Sequence, residues 1–133
     1  MPDAHANFGY STVSIAPDPA TTGTSLTVAT GTGTRFPAVP FNATVWPTGV
    51  LAIPTNAEIV RVTVIAGDVL TITRAQESST ARSIIVDDQI AATITAKSLT
   101  DIEGGNFGTT ALICGAITAS GDVNIGTVSA FDP

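Results

Sequence analysis

The chain has 133 residues and a formal net charge of -6, which suits one domain large enough to bury a core without disulfide bonds. Its four arginines and one lysine form no cluster, which argues against nucleic-acid binding because that affinity depends on grouped basic side chains. The chain contains neither an apolar run of the roughly eighteen residues that span a bilayer nor a signal-peptide pattern, so we expect cytoplasmic synthesis and no membrane partner.

Residues 1–10 have no hydrophobic periodicity and predict an extended N-terminal arm. His5 is the only histidine, and no second metal-ligand type lies near it at a suitable spacing, so we expect no metal ion. Two aromatic residues of the arm, Phe8 and Tyr10, are candidate partner contacts. Phe107 and Phe131, near the other end of the chain, are candidates for the same role.

Short alternating segments follow the arm and predict β-strands. Ser11–Ala16 and Ser25–Thr30 each carry apolar side chains at every second position, and proline or glycine turns follow them. Asn42–Trp46 is a brief apolar strand that ends at Pro47. We predict that Trp46 anchors the core through burial of its ring, because its neighbours lack the polar and acidic groups of a carbohydrate-stacking platform.

The clearest pattern is a β-hairpin formed by Glu58–Ile65 and Val69–Arg74, which both alternate with a period of two. A two-residue turn at Gly67-Asp68 would place Arg61 opposite Arg74, a like-charge pair that destabilises a sheet. We therefore predict a three-residue turn, which segregates an apolar face from a polar one. That apolar face is expected to build the core with Val62, Val64, Leu70 and Ile72.

Charged side chains gather near the ends of the hairpin strands and just beyond them. Arginine can bind a carboxylate through two parallel N–H groups, which suits it to fixing the geometry of a fold. We interpret these residues as structural ion pairs rather than as a functional site. The set is Glu58, Arg61, Arg74, Glu77 and Arg82.

The segment after the hairpin contains a turn and an element of ambiguous type. Asp87-Asp88 follows an apolar run and predicts a solvated turn, because no EF-hand pattern or partner glutamate accompanies it. Residues 89–103 fit both a strand and a helical face. We predict a strand at the beginning and a helix from about Ala92 to Ile102, which the glycine pair Gly104-Gly105 ends.

Residues 104–133 consist of short β-branched segments separated by glycines and almost free of charge. Cys114 lies among apolar residues there, and we expect a small buried side chain that forms no internal bridge. One copy of such strands would leave edges and apolar faces exposed. Charged residues are only 12% of the chain, against about a quarter in typical domains. The low charge content predicts assembly with copies or a partner, and the short strands of this segment predict a homotrimer.

The predicted fold is therefore mainly β. Residues 11–103 are expected to form a compact antiparallel β-sandwich or barrel-like domain with one short helix. The arm at 1–10 and a short β segment at 104–133 flank it.

A set of motifs between residues 36 and 103 carries a family resemblance. The motifs are FPA at 36–38, FNATVWP at 41–47, NAEIVRV at 56–62, the Gly67-Asp68 turn, ITRAQE at 72–77, TAR at 80–82 and ITAKSLTDIE at 94–103. Together they resemble a module of virion proteins from tailed bacteriophages, over about residues 11–103. The resemblance implies a small β-rich anchoring or head-proximal domain, often at the start of fibre or spike proteins. It implies no catalytic residues, and we expect no cofactor.

The leading functional hypothesis is a capsid decoration, or cement, protein on the particle exterior after synthesis in the host cytoplasm. A trimer would bind the major capsid protein or another virion protein and stabilise the shell. Because only thirty residues follow Glu103, we expect a short knob rather than a long fibre. The alternative is a tail-fibre or receptor-binding adaptor. An enzyme is not expected, because the sequence has no Cys-His constellation, phosphate-binding Gly-Lys motif or nucleophile elbow.

Overall fold

A computed structural model describes residues 2–104 and contains a closed antiparallel β-barrel. The strands run in the order β1-β2-β5-β4-β3-β6, and β6 pairs with β1 to close the barrel. The prediction of a mainly β fold with one short helix is confirmed, in its barrel form. The elements are β1 (Tyr10–Ile15), β2 (Ser25–Val28), a 3₁₀ turn (Gly33–Arg35), β3 (Phe41–Trp46), β4 (Glu58–Ala66), β5 (Val69–Thr73), β6 (Gln89–Ala91) and α1 (Ala96–Glu103).

The barrel interior is filled by side chains that recur at every second position of the strands. On β3 these are Phe41, Ala43 and Val45, and the other strands contribute mainly aliphatic residues. The ring of Phe36, from the β2–β3 connection, stacks on Phe41 with ring centroids 6.0 Å apart. Closure leaves the barrel of the described residues with no free strand edge.

The same alternation places Trp46 outside the core. Phe41, Ala43 and Val45 point inward, so Trp46 falls on the outer side of β3, where its ring is only partly buried. The predicted core anchor is therefore wrong. The interior is already filled by smaller side chains of the same strand.

The hairpin forms where it was predicted, but its turn has two residues. Ala66 pairs with Val69 across Gly67 and Asp68, and Gly67 adopts a φ of 62°, in the left-handed region that glycine tolerates. The predicted three-residue turn is wrong. The β2–β3 connection fixes the shorter turn, because the Asp68 carboxylate accepts hydrogen bonds of 2.9 Å from the backbone N–H groups of Gly31 and Gly33.

A β-bulge between Val62 and Val64 reconciles this turn with the charges. On the side of the bulge away from the turn, Val62 pairs with Ile72 and Arg61 pairs with Thr73, so Arg61 does not face Arg74. Between the bulge and the turn, the inward and outward positions of β4 are exchanged. Val64 is consequently 49% exposed, which corrects its predicted place in the core, whereas Val62, Leu70 and Ile72 lie in the core. Ile65 packs against the core in its place.

The ambiguous segment contains both a strand and a helix. Strand β6 occupies Gln89–Ala91, and α1 begins at Ala96, four residues later than predicted, and ends at Glu103. The backbone N–H of Gly104 donates to the carbonyl of Thr100 at 2.8 Å and closes the last turn. In the described part of the chain, no helix has the length and apolar character needed to cross a membrane.

The structure tests the predictions for the N-terminal arm but not those for residues after Gly104. Tyr10, the last residue of the predicted arm, already belongs to β1 and pairs with Ala91. The predictions for the C-terminal β segment, Cys114, Phe107 and Phe131 lie outside the described residues.

Candidate interaction surface

A buried ion pair between Glu58 and Arg74 fixes one end of the hairpin. The guanidinium Nε and Nη2 donate to the two carboxylate oxygens at 2.8 and 2.7 Å. The backbone N–H groups of Ala75 and Arg82 also donate to this carboxylate. Arg74 directs its remaining N–H groups to the carbonyls of Ala20, Gly23 and Arg82, so all five of its donors are used.

Burial alone would raise the pKa of Glu58, because a carboxylate loses hydration inside a protein. The hydrogen bonds from Arg74 and the two backbone N–H groups outweigh burial, and with the Arg74 charge they hold the pKa below its ordinary value. Glu58 is thus a charged group with a structural role.

A second polar cluster attaches the N-terminal arm to the outside of the barrel. Arg61, on β4, donates through Nη1 and Nη2 to the two carboxylate oxygens of Asp3 at 3.1 and 3.0 Å. The backbone N–H of Asn42, on β3, donates to the same carboxylate at 3.0 Å. Burial raises the pKa of Asp3, but these hydrogen bonds and the charges of Arg61 and Lys97 lower it by a larger amount. The net result is a pKa below the ordinary value.

Glu77 connects this cluster to α1 without forming an ion pair among the described residues. Its carboxylate accepts a hydrogen bond of 2.6 Å from the side-chain amide of Asn42 and one of 3.1 Å from the backbone N–H of Lys97. An acceptor at the first turn of a helix satisfies one of its free N–H groups. The prediction of an ion pair for Glu77 is therefore wrong.

The third ion pair joins Arg82 to Asp88, with Nη1 and Oδ2 2.6 Å apart. Asp88 also accepts from the backbone N–H of Ile85 at 2.9 Å. Of the predicted solvated pair, only Asp87 is exposed, and Asp88 is buried. The expectation for Asp88 is corrected because Arg82 compensates its charge.

The sequence identified Glu58 as an ion-pair residue but not the partners of Arg61 and Arg82. The partners of Arg61 are Asp3 and Asn42, which are remote from it in sequence. The partner of Arg82 is Asp88, which lies in a turn, and no motif links these positions. The only usable signal was an acidic residue within an otherwise uncharged arm, where Asp3 is the sole carboxylate among residues 1–10.

The described surface exposes large apolar side chains in several places. Phe8 is 89% exposed and holds a φ of 61°, a conformation that bulky residues rarely adopt. Tyr10, the other predicted contact of the arm, is also exposed. The full set in residues 2–104 is Phe8, Tyr10, Ile15, Val39, Val50, Leu51, Ile53, Val64, Val69, Ile85, Val86, Ile94, Leu99 and Ile102.

Two open depressions lie beside these side chains. One, of about 340 Å³, separates arm residues 5–7 from Ala92 and Ile94. The other, of about 350 Å³, lies between the β3–β4 connection at Ala52–Pro54 and the loop at Glu77–Thr80. Thr44 lines the second, and its hydroxyl is hydrogen-bonded to that of Thr93 at 2.8 Å.

The exposed apolar side chains lie in several separate parts of the described surface, and the depression beside Ala52–Pro54 has a mainly apolar lining. Within residues 2–104, no group of three or more histidine, cysteine, aspartate or glutamate side chains is arranged to hold a metal ion. No protein family matches the chain, and no curated protein is significantly similar to it.

Proposed function

We propose that the chain is a non-enzymatic structural protein of a tailed-bacteriophage virion that acts as a capsid decoration protein. In this role a homotrimer binds the outer surface of the head, contacts the major capsid protein and stabilises the shell. The observation that carries the proposal is the exposed apolar surface: residues 2–104 expose 14 large hydrophobic side chains, while 13 hydrophobic residues fill the core. Such a surface suits a protein that other subunits cover. The resemblance of residues 11–103 to phage virion modules supports the same role.

The architecture suits an external knob that is stable before it binds. The closed barrel has its own core and a fully hydrogen-bonded buried ion pair, so the domain does not need a partner to complete its sheet. With no free edge among its strands, it cannot bind by strand addition there. Contacts made by the barrel of residues 2–104 come instead from side chains of its outer surface.

The arm offers the best-defined contact for the shell. Asp3 is bound by Arg61, and the Gly9 carbonyl accepts a hydrogen bond of 2.7 Å from the backbone N–H of Ala92. Phe8 lies between these two attachment points and projects into solvent. Hydrogen bonds on either side hold the backbone at Phe8, so binding through its ring would require ordering of one side chain rather than of the whole arm. We therefore assign Phe8 as an anchor for the capsid surface.

Stabilisation of the shell follows from linkage. A protein that binds the assembled shell and not its free subunits adds about 2.7 kcal/mol per site when its free concentration is about 100 times its dissociation constant. A trimer that engages three equivalent capsid sites also gains avidity, because the second and third contacts become intramolecular. The net charge of -6 suits a position outside the packaged genome.

The decisive measurement is the copy number in purified particles, combined with localisation by cryo-electron microscopy. A decoration protein occupies equivalent positions over the whole head lattice, so we expect a copy number comparable to that of the major capsid protein. About a dozen copies, or density on the tail, would refute decoration and favour the tail-fibre or receptor-binding adaptor.

The anchor is tested with shells that lack this protein. We expect wild-type protein to sediment with the shells and raise their melting temperature, and Phe8→Asn to do neither. Asparagine tolerates the left-handed backbone, so this change removes the ring and preserves the fold. Leu51→Asn, at an apolar position that is 84% exposed, is the matched control and is expected to bind. Equal binding of Phe8→Asn and wild type would exclude Phe8 as the anchor.

A further inference from the structure

Helix α1 is attached to the barrel by its polar side. Ser98 is only 2% exposed and faces the barrel, whereas Leu99 and Ile102 are 53% and 46% exposed. A surface helix normally has the opposite orientation, with its apolar stripe towards the core. The backbone N–H of Lys97 also donates to the carboxylate of Glu77 at 3.1 Å. The position of α1 therefore depends on polar contacts.

The side chains of Arg61 and Lys97 meet at one oxygen atom of Asp3. The Nη2 of Arg61 lies 3.0 Å from Oδ1, and the ammonium of Lys97 lies 3.7 Å from the same atom. Arg61 belongs to β4 and Lys97 to α1, whereas Asp3 belongs to the arm. One buried carboxylate thus joins three parts of the fold and compensates two positive charges that lie close together.

Asp3 is also the contact that holds the outer end of the arm. Residues 4–8 are exposed, and the depression of about 340 Å³ separates residues 5–7 from Ala92 and Ile94. The inner end of the arm is fixed separately, because the Gly9 carbonyl accepts a hydrogen bond of 2.7 Å from the Ala92 N–H. Loss of the Asp3 contacts would therefore free the arm up to Gly9.

We propose that Asp3 is a latch that couples the arm to α1, so that release of the arm from the barrel also loosens the helix. The two segments then share two states, one with both attached and one with both released. This device goes beyond the proposed function and does not depend on which partner draws the arm away. Because Phe8 lies in the same arm, a partner that moves Phe8 away from the barrel would act on α1 without touching it.

Repulsion between like charges supplies the coupling. When the Asp3 carboxylate leaves, the Arg61 guanidinium and the Lys97 ammonium remain as neighbouring positive charges in a partly buried site. Asp101 still pairs with Lys97, and Glu77 already accepts two hydrogen bonds. Arg61 is fixed within β4, which is paired on both sides, whereas Lys97 lies in the first turn of a short helix. The helix is therefore the part that moves.

The first test uses a lysine-specific endoprotease, because Lys97 is the only lysine of the chain. Cleavage after Lys97 requires local opening of α1. The Asp3→Asn variant is expected to be cleaved about tenfold faster than wild type, which is the change in an opening equilibrium that loss of one charge-assisted hydrogen bond produces.

Val28→Ala is the matched control for this test. Val28 lies in the core on β2, which pairs with neither β3 nor β4, so its truncation lowers the stability of the barrel at a distance from the latch. We expect cleavage of this variant at the wild-type rate, because α1 opens locally while the barrel stays folded.

The second test is residue-specific hydrogen exchange by NMR, which shows whether Lys97 transmits the effect. The reporters are the N–H groups of Leu99 and Gly104, which both close helical turns of α1. Asp3→Asn should accelerate their exchange about tenfold. In a Lys97→Met background the same change should have less than about a twofold effect, because methionine preserves helix propensity but carries no charge.

Three results would overturn the latch. Cleavage of Asp3→Asn at the wild-type rate would show that the arm and α1 are independent. Equal acceleration in Val28→Ala would show that α1 opens only with the whole barrel, and an equal effect of Asp3→Asn on exchange in both backgrounds would exclude Lys97 as the link. The copy number on particles decides the decoration role independently of all three.

Discussion

Replacing Glu58 with glutamine removes the charge from a carboxylate that has no exposed surface. The side chain keeps its size, but its new amide donors face the N–H groups of Arg74, Ala75 and Arg82, which need acceptors. Arg74 is left as a buried charge without its counter-ion. Removing one partner of a buried pair costs about 3–5 kcal/mol. That is a large share of the roughly 5–15 kcal/mol that stabilises a typical domain.

Urea unfolding, followed by far-UV circular dichroism and by the fluorescence of Trp46, measures this loss. At about 3–4 °C per kcal/mol for a chain of this length, the melting temperature of Glu58→Gln should fall by about 10 °C or more. Glu103→Gln, at the exposed end of α1, is the matched control and should change the free energy of unfolding by less than about 0.5 kcal/mol. Protein concentration is held equal, because self-association shifts apparent stability. A loss below about 1 kcal/mol for Glu58→Gln would refute the structural role of the pair.

Three further predictions test the arm, the turn and the bulge. Asp3→Asn should lower stability by about 1–3 kcal/mol at neutral pH, because it removes charge-assisted hydrogen bonds. The folded pKa of Asp3 lies below its ordinary value, so the stability that Asp3 contributes is complete above the ordinary carboxyl pKa and is lost as the pH falls through the folded pKa. Thermal melts at a pH below the folded pKa should therefore show no difference between Asp3→Asn and wild type, and a difference that persists at that pH would contradict the role of the Asp3 charge. Gly33→Ala should cost at least about 1–3 kcal/mol in urea unfolding, because the new Cβ would lie 2.0 Å from the Gly67 carbonyl oxygen, and wild-type stability would disprove that contact. Val62→Ala should cost about 2 kcal/mol and Val64→Ala less than about 0.5 kcal/mol in the same assay, and equal losses would show that both side chains are buried.

Local sequence was sufficient to identify most of the strands. Alternation is a property of consecutive residues, so β1, β2 and β3 could be located within one or two residues and the hairpin could be recognised from its own pattern. The helix was placed less well. Its polar inner side and apolar outer side invert the rule from which amphipathic helices are usually inferred.

The hairpin register required information from other strands. Arg61 and Arg74 do not face one another in the sheet, as repulsion between like charges predicts. The chain avoids that pair with a bulge, while Asp68 holds the short turn against Gly31 and Gly33. Neither the bulge nor this long-range contact is encoded by alternation within the hairpin.

For the candidate interaction surface too, some features could be predicted from the sequence and others depended on the fold. Composition alone predicted a chain whose surface is partly covered, and the arginines of the hairpin region were recognisable as ion-pair residues. Their partners Asp3 and Asp88, and the direction in which Leu99 and Ile102 point, depend on closure of the barrel. The periodicity of a sequence depends only on residues that are close along the chain. Ion pairs and exposed faces depend on residues that folding brings together from distant positions. Neighbouring residues along the chain are thus sufficient to specify the strands and the low charge content. Closure of the barrel determines which charges are paired internally and which apolar side chains stay exposed.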